Sequence, residues 1–395
     1  MTDDQENRFG TLRYVEEDEG PLLAERAMEN QHMLPFLRLF DLKVNTTNFL
    51  KRLKRVRTVT DLQHRILVPI FEQIFDRTTD GIHCSGLSRI PRDRGVLYLS
   101  NHRDIILDSA SMNMLLFKTG IRLANAGIGD NLLLNETVQL VFTMMKCFVV
   151  RRSLVGKEQV RFLKQLSEFI AYSIQERETS IWLAHRSGRS KDGNDKTNPA
   201  ILKMLAMADR KDPVSHLQSL GVIVTSCSYE WDPCDVFKVK ELLAAAAGVP
   251  YQKEKDEDMM SIRTGICGYK GGVHVSFHPV EDREWEPCRD MTEKERFDHL
   301  TALVDAKIHR GYKLWPSNYI AADLLHESTR FAAHYTDADR EAFTTRLRER
   351  LTFDADILPE ARRLFLLGYA NPVLNSPRAD SGPDAGEALH RISAN

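Results

Sequence analysis

The segment best suited to chemistry is Asn101-His102-Arg103-Asp104-Ile105-Ile106-Leu107-Asp108. A histidine can take a proton from a hydroxyl near neutral pH, because its ordinary pKa lies in that range. A neighbouring carboxylate can fix the ring's tautomer and stabilise the imidazolium that forms. Asp104 and Asp108 are both candidates for that carboxylate. Side chains share a helix face at spacings of three, four or seven. Asp108 stands six positions after His102, so the two can meet only if the chain turns before a helix begins. Asp104 and Asp108 are four apart and could share a face. Asp104 could instead cap the helix N-terminus, which would leave His102 an ordinary loop histidine.

Two further segments gather cations. Phe148-Val149-Val150 runs into Arg151-Arg152, and Ile181-Trp182-Leu183-Ala184 opens into His185-Arg186-Ser187-Gly188-Arg189-Ser190-Lys191. Guanidinium forks and free backbone amides suit a phosphate monoester. Arg151, Arg186, Gly188, Arg189 and Lys191 are therefore the candidate phosphate-binding residues, although a solvated basic loop would have the same composition. Other chemistries fit less well. The sequence has no Gly-x-Ser-x-Gly elbow for a serine hydrolase. His274 and His278 would lie about 13 Å apart along a strand, too far to share a metal, and no metal site is expected.

The elements that must position these residues alternate in type. Residues 61–75 carry Leu62, Ile66, Ile70 and Ile74 at helical spacing, and 157–178 place Phe162, Leu166, Phe169, Ile170 and Ile174 on one face. Short apolar runs at 82–87, 96–99, 180–184, 221–227 and 273–277 read as strands. The expected fold is α/β: a mixed, largely parallel sheet flanked by helices, with helical extensions at both ends. Residues 132–150 are apolar but contain Asn135, Glu136, Gln139 and Lys146; they read as a buried or groove-lining helix, too polar to span a bilayer.

The expected organisation has four parts: a helical arm at 1–60, loosely ordered over about the first 30 residues; a central domain at 61–290; a helical extension at 291–375; and a disordered tail at 376–395. Within the arm, Lys51, Arg52, Lys54, Arg55 and Arg57 alternate with Phe49, Leu50 and Leu53, a composition suited to an anionic membrane surface. A formal net charge of −2 gives no global field for nucleic acid. The six cysteines form no C-x-x-C pair and the first residues are polar and acidic, which suits a reducing, cytoplasmic compartment.

In their order, these blocks resemble the glycerol-phosphate and lysophosphatidate acyltransferase superfamily, in particular a bacterial lysophospholipid acyltransferase-like subgroup. The resemblance covers roughly 65–280. It rests on Asn101-His102 followed by Asp108, on Phe148 and Arg151, on Gly188 and Arg189, on the strand Val222 to Cys227, and on Gly268-Tyr269-Lys270-Gly271-Gly272-Val273. The chain departs from the family pattern in four places. Five residues rather than four separate His102 from Asp108, Met145 stands where Gly is usual, Ser187-Gly188 replaces Glu-Gly, and Ile223 replaces a common Pro. The resemblance implies transfer of a fatty acyl group from acyl-CoA or acyl-ACP, as co-substrate and without a further cofactor, to a hydroxyl of glycerol-3-phosphate or a lysophospholipid. His102 would be the base, Asp108 its partner, and Arg151, Arg186, Arg189 and Lys191 the holders of the acceptor phosphate. A cytoplasmic protein peripheral to the inner face of a membrane is expected. A thioesterase using the same centre, or a non-catalytic headgroup-binding protein, are the alternative readings.

Overall fold

The computed structural model describes residues 9–377 and 390–392. Its strands in chain order are β1 (Ile82–Ser85), β2 (Leu97–Ser100), β3 (Asn125–Gly129), β4 (Phe148–Val150), β5 (Ile181–Ala184), β6 (Val222–Tyr229), β7 (Val273–Pro279) and β8 (His390–Ile392). They form one sheet ordered β4-β3-β5-β2-β6-β7-β1-β8. The five strands from β4 to β6 are parallel; β7 runs antiparallel to β6 and parallel to β1, and β8 pairs antiparallel with β1. The sheet is therefore mixed and largely parallel, as expected.

Helices cover both faces, and strand alternation divides the side chains between them. Tyr98, Trp182 and Ile223 point into one core, shared with the N-terminal helices and the helix Leu107–Lys118. Leu97, Leu99, Ile181, Leu183, Val222 and Val224 point into the other, against the helices Gly156–Gln175 and Glu293–Gly311. A third cluster joins the C-terminal helices Pro316–Leu325, Asp337–Arg350 and Leu358–Asn375.

Three expectations need correction or lie outside the described residues. Residues 132–150 are not one helix: a helix spans Glu136–Met144, and β4 follows at Phe148. Lys146 makes the break in left-handed conformation, φ 55°, a position where glycine would have announced the turn. The arm is not loosely ordered from residue 9 onward, because the helix Gly20–Glu29 buries Leu23, Ala24 and Ala27. Residues 1–8 and most of the tail expected at 376–395 lie outside the described residues.

Strand β3 escaped the sequence reading because its centre is glycine. A Cβ on Gly127 would meet Leu183 Cδ2 at 2.8 Å and Phe148 Cζ at 3.0 Å. The neighbouring strands fill the space that a β-branched residue would otherwise have marked.

Candidate active site

The five parallel strands bring their carboxyl ends to one edge, the usual address of ligand sites in open α/β sheets. β2 ends there in Ser100, and the chain continues through Asn101 and His102. Asn101 is fully buried and acts as a clamp. Its amide nitrogen donates to Asp195 Oδ2 and Cys227 O, each at 3.1 Å, while its oxygen accepts from the Cys227 amide at 2.8 Å. The loop that starts the site is thereby tied to β6 and to the segment following β5.

Two nested turns then solve the spacing problem. Asp104 Oδ1 accepts from the amides of Ile106 (2.9 Å) and Leu107 (2.8 Å), capping the helix Leu107–Lys118. Asp108, in the first helical turn, reaches back: its Oδ2 accepts from the amides of Arg103 (2.7 Å) and Asp104 (3.0 Å). The same oxygen lies 2.9 Å from His102 Nδ1. The extra residue between His102 and Asp108 is absorbed by this turn. Of the two candidate carboxylates, Asp108 faces the histidine and Asp104 is the cap. Asp104 lies against another helix as well, since a Cβ on Gly265 would approach its Oδ2 to 2.3 Å.

The chemistry follows from the donors. A carboxylate can only accept, so the proton between His102 and Asp108 sits on Nδ1. That leaves the Nε2 lone pair as the basic position. Asp108 is almost wholly buried, and the His102 side chain is 12% exposed. The edge of the His102 ring meets Trp182 at 5.9 Å between centroids. Asp108 Oδ1 accepts from the Tyr229 hydroxyl at 2.9 Å.

Register places the expected cations. β2 pairs Ser100 with Ala184, β3 pairs Asn125 with Ile181, and Gly129 pairs with Val150. Carried past the strand ends, one residue beyond β4 and two beyond β5 and β2, Arg151, Arg186 and His102 fall on one row. Strands lie about 4.8 Å apart, so Arg151, three strands from His102, starts about 14 Å away. Arg151 is exposed and Arg186 half-buried, and neither forms an ion pair among the described residues. Gly188 has φ 74° and open space around it.

Arg189 and Lys191 are placed differently from the expectation of one phosphate cluster. Arg189 is 7% exposed, its charge opposed by Asp104, Asp232 and Glu241. Lys191 is ion-paired with Glu241; burial, together with Arg189, lowers its amine to about 8. Lys191 thus turns to an acid from a later helix, and Arg189 is buried in the negative potential of three carboxylates, while among the described residues Arg151 and Arg186 have no such ion pair.

Sequence reasoning missed the frame behind the pair. Arg103 extends to Asp195 Oδ2 at 3.4 Å and to Gly368 O at 3.3 Å, and Tyr312 also donates to Asp195. Burial alone would raise the Asp195 carboxyl, but Arg103, His185, Tyr312 and Asn101 outweigh it and hold it below the ordinary range. The C-terminal helix Leu358–Asn375 also fastens the loop after β5. Asn371 donates to Asp192 O at 2.7 Å, and Asn375 to Asn194 Oδ1 at 3.0 Å. Gly193, at φ 73°, packs so closely that a Cβ would lie 2.4 Å from Gly368 O. No local pattern signals such contacts, because the partners stand more than 170 residues apart in sequence. His185, next to the site, is no second base: it is fully buried, its Nδ1 lies 3.0 Å from Thr197 Oγ1, and burial lowers it to about 4.

Beside the turn lies an apolar cavity with about 60 Å³ of open space. Phe36, Phe71, Phe142, Met145 and Ile266 line it, and Ile106 from the His102–Asp108 turn completes its wall. Among the described residues, no charged side chain lines it.

Residues 81–229 match the model of the Acyltransferase family. This segment, well under half of the chain, is similar to that family. The matched segment begins at the strand before β2 and ends on Tyr229, so it holds His102, Asp108, Arg151 and Arg186, while Asp232 and the C-terminal helices lie beyond it. Among solved structures, the chain is similar to the 1-acyl-sn-glycerophosphate (LPA) acyltransferase PlsC from Thermotoga maritima. The identity is 14%, over 73% of this chain and 94% of that one, with a TM-score of 0.34. No curated protein sequence matches the chain. Among the described residues, no helix is long and apolar enough to cross a membrane.

Proposed function

We propose that the chain transfers a fatty acyl group from a thioester carrier, acyl-CoA or acyl-ACP, directly to a hydroxyl of glycerol-3-phosphate or a lysophospholipid. The observation that carries this reading is the 2.9 Å contact between His102 Nδ1 and Asp108 Oδ2, at the carboxyl ends of the parallel strands and beside an apolar cavity. His102 Nε2 takes the acceptor's hydroxyl proton. The oxygen attacks the thioester carbonyl, the C–S bond breaks, and the leaving thiolate takes the proton back from Nε2. Asp108 stabilises the imidazolium between these steps. The apolar cavity beside Ile106 is the natural place for the acyl chain and would widen to admit it. Holding both substrates together supplies the entropic part of the rate.

Arg151 and Arg186 are the residues best placed for the acceptor phosphate, with the Gly188 turn supplying open backbone. Arg189 and Lys191, already opposed by carboxylates, add positive potential behind them. The acceptor side is testable. Arg151→Ala removes a charge-assisted hydrogen bond of about 1.5–3 kcal/mol. KM for a phosphate-bearing acceptor should therefore rise roughly 10- to 100-fold with kcat nearly unchanged. Steady-state kinetics with glycerol-3-phosphate or lysophosphatidate checks it. An unchanged KM would remove Arg151 from the phosphate site.

The same reading places the protein on an anionic membrane face on the cytoplasmic side. Lys51, Arg52, Lys54, Arg55 and Arg57 are all exposed, whereas Phe49, Leu53 and Val56 between them are buried. Contact there would be electrostatic and would weaken with salt.

A further inference from the structure

We infer that Tyr229 is a positioning residue for the His102–Asp108 pair and sets the pH range in which His102 acts as a base; this rests on the acyl transfer proposed for that pair. The Asp108 carboxylate is buried, and its two oxygens are treated differently. Oδ2 accepts three bonds, from His102 Nδ1 and the amides of Arg103 and Asp104. Oδ1 accepts from Tyr229, 121 residues further along the chain. Tyr229 is the last residue of β6, the strand beside β2. The phenol comes from a separate element, so it can hold the carboxylate's rotation independently of the turn that carries His102. Without it, Oδ1 would face a dry interior unpartnered. The carboxyl plane would then be held through Oδ2 alone.

Among the described residues, no lysine or arginine side chain hydrogen-bonds or ion-pairs with the Asp108 carboxylate. Arg103, the nearest basic residue in sequence, extends to Asp195 and Gly368 instead. The buried charge is therefore held by four hydrogen bonds from neutral donors and by the helix N-terminus. The phenol remains a donor throughout the working pH range, since burial and the adjacent Asp108 push its ionisation well above the ordinary value. Each bond to the charged carboxylate makes it less basic. Removing one makes it a stronger partner for the imidazolium, which favours protonated His102. A base is useful only while unprotonated, so the acid limb of the rate profile must then move to higher pH.

Tyr229→Phe removes one oxygen and keeps the ring, so packing is preserved. The expected kcat is about 3- to 10-fold lower near neutral pH, with KM for both substrates unchanged. The acid limb of the kcat profile should rise by about 0.5 pH unit or more. A fall in kcat with an unmoved acid limb would reduce Tyr229 to a packing residue. A raised acceptor KM with kcat intact would make it a substrate contact. Either result overturns the inference. A second measurement needs no turnover: titration of the His102 ring by nitrogen NMR in the full-length, histidine-labelled protein, with His102→Gln for assignment. A titration midpoint higher in Tyr229→Phe than in the parent supports the positioning role, even if no acyl transfer is detected and the proposed function fails. Identical midpoints contradict it, even if transfer is robust.

Discussion

His102→Ala should keep its fold and lose roughly 10²- to 10⁴-fold in kcat, the range expected when a general base is removed. The fold should persist because the substitution leaves three of the four donors to Asp108 in place: the amides of Arg103 and Asp104, and the Tyr229 hydroxyl. The ring is packed against Trp182 but is not walled in on every side, so the truncation costs about 1–2 kcal/mol of stability at most. KM for both substrates should change little, since the ring acts on the proton in flight rather than on ground-state binding. Parallel thermal unfolding and steady-state kinetics on purified protein check both halves. Unchanged turnover would sink the mechanism, whereas loss of turnover together with loss of folding would leave the fold argument at fault.

The second large effect is Asp108→Asn. The amide has the shape of the carboxylate, but one of its two heavy atoms becomes a donor. Oδ2 now accepts three bonds and Oδ1 one, so neither orientation of the amide keeps all four bonds. If NH₂ takes the Oδ2 place, it opposes two backbone amides, and the His102 ring can satisfy it only by moving its proton to Nε2. That removes the lone pair the reaction needs. If NH₂ takes the Oδ1 place, the Tyr229 hydroxyl must turn its own proton away to accept from it, and the imidazolium loses its counter-charge. A stability loss of about 1–3 kcal/mol is expected from the unsatisfied groups, together with a kcat loss of roughly 10²- to 10⁴-fold. The two residues act as one unit, so the double variant His102→Ala, Asp108→Asn should be no slower than the slower single variant. Additive losses in kcat would show that they contribute separately.

How much of this was legible beforehand depended on range. The central strands were readable because buried parallel strands are nearly continuous runs of apolar residues: Leu97 to Leu99, Ile181 to Leu183 and Val222 to Val224 stand out unaided. The helix carrying Phe162, Leu166 and Phe169 was readable from its period. β3 and β4 were hidden for opposite reasons. β3 is built on glycine to make room for Leu183 and Phe148, and β4 is divided from an apolar helix by a lysine in a conformation normally marked by glycine.

At the site, His102 could be named from the sequence, and so could the need for a turn. The choice of Asp108 over Asp104 came from the resemblance and not from spacing, because it depends on which carboxylate closes which of the two turns at 103–107. The cationic loop held a further ambiguity. Arg186, Arg189 and Lys191 look alike in sequence, yet Glu241 pairs with Lys191, and Arg189 is buried in the field of Asp104, Asp232 and Glu241. Those acids come from separate elements, and only the assembled fold brings them to the loop. The same holds for Asn101, Asp195 and Tyr312: buried polar residues must be satisfied, but their partners lie a hundred residues away or more, or nearly so.

The most direct test of the central claim follows the acyl group itself. Purified full-length protein is incubated with acyl-CoA or acyl-ACP labelled in the acyl chain, with and without glycerol-3-phosphate or lysophosphatidate, and the products are resolved by mass spectrometry. The account predicts label in an ester of the acceptor, matched one for one by free thiol and absent with His102→Ala. Label appearing only as free fatty acid, or no turnover of the thioester with any acceptor, would contradict it.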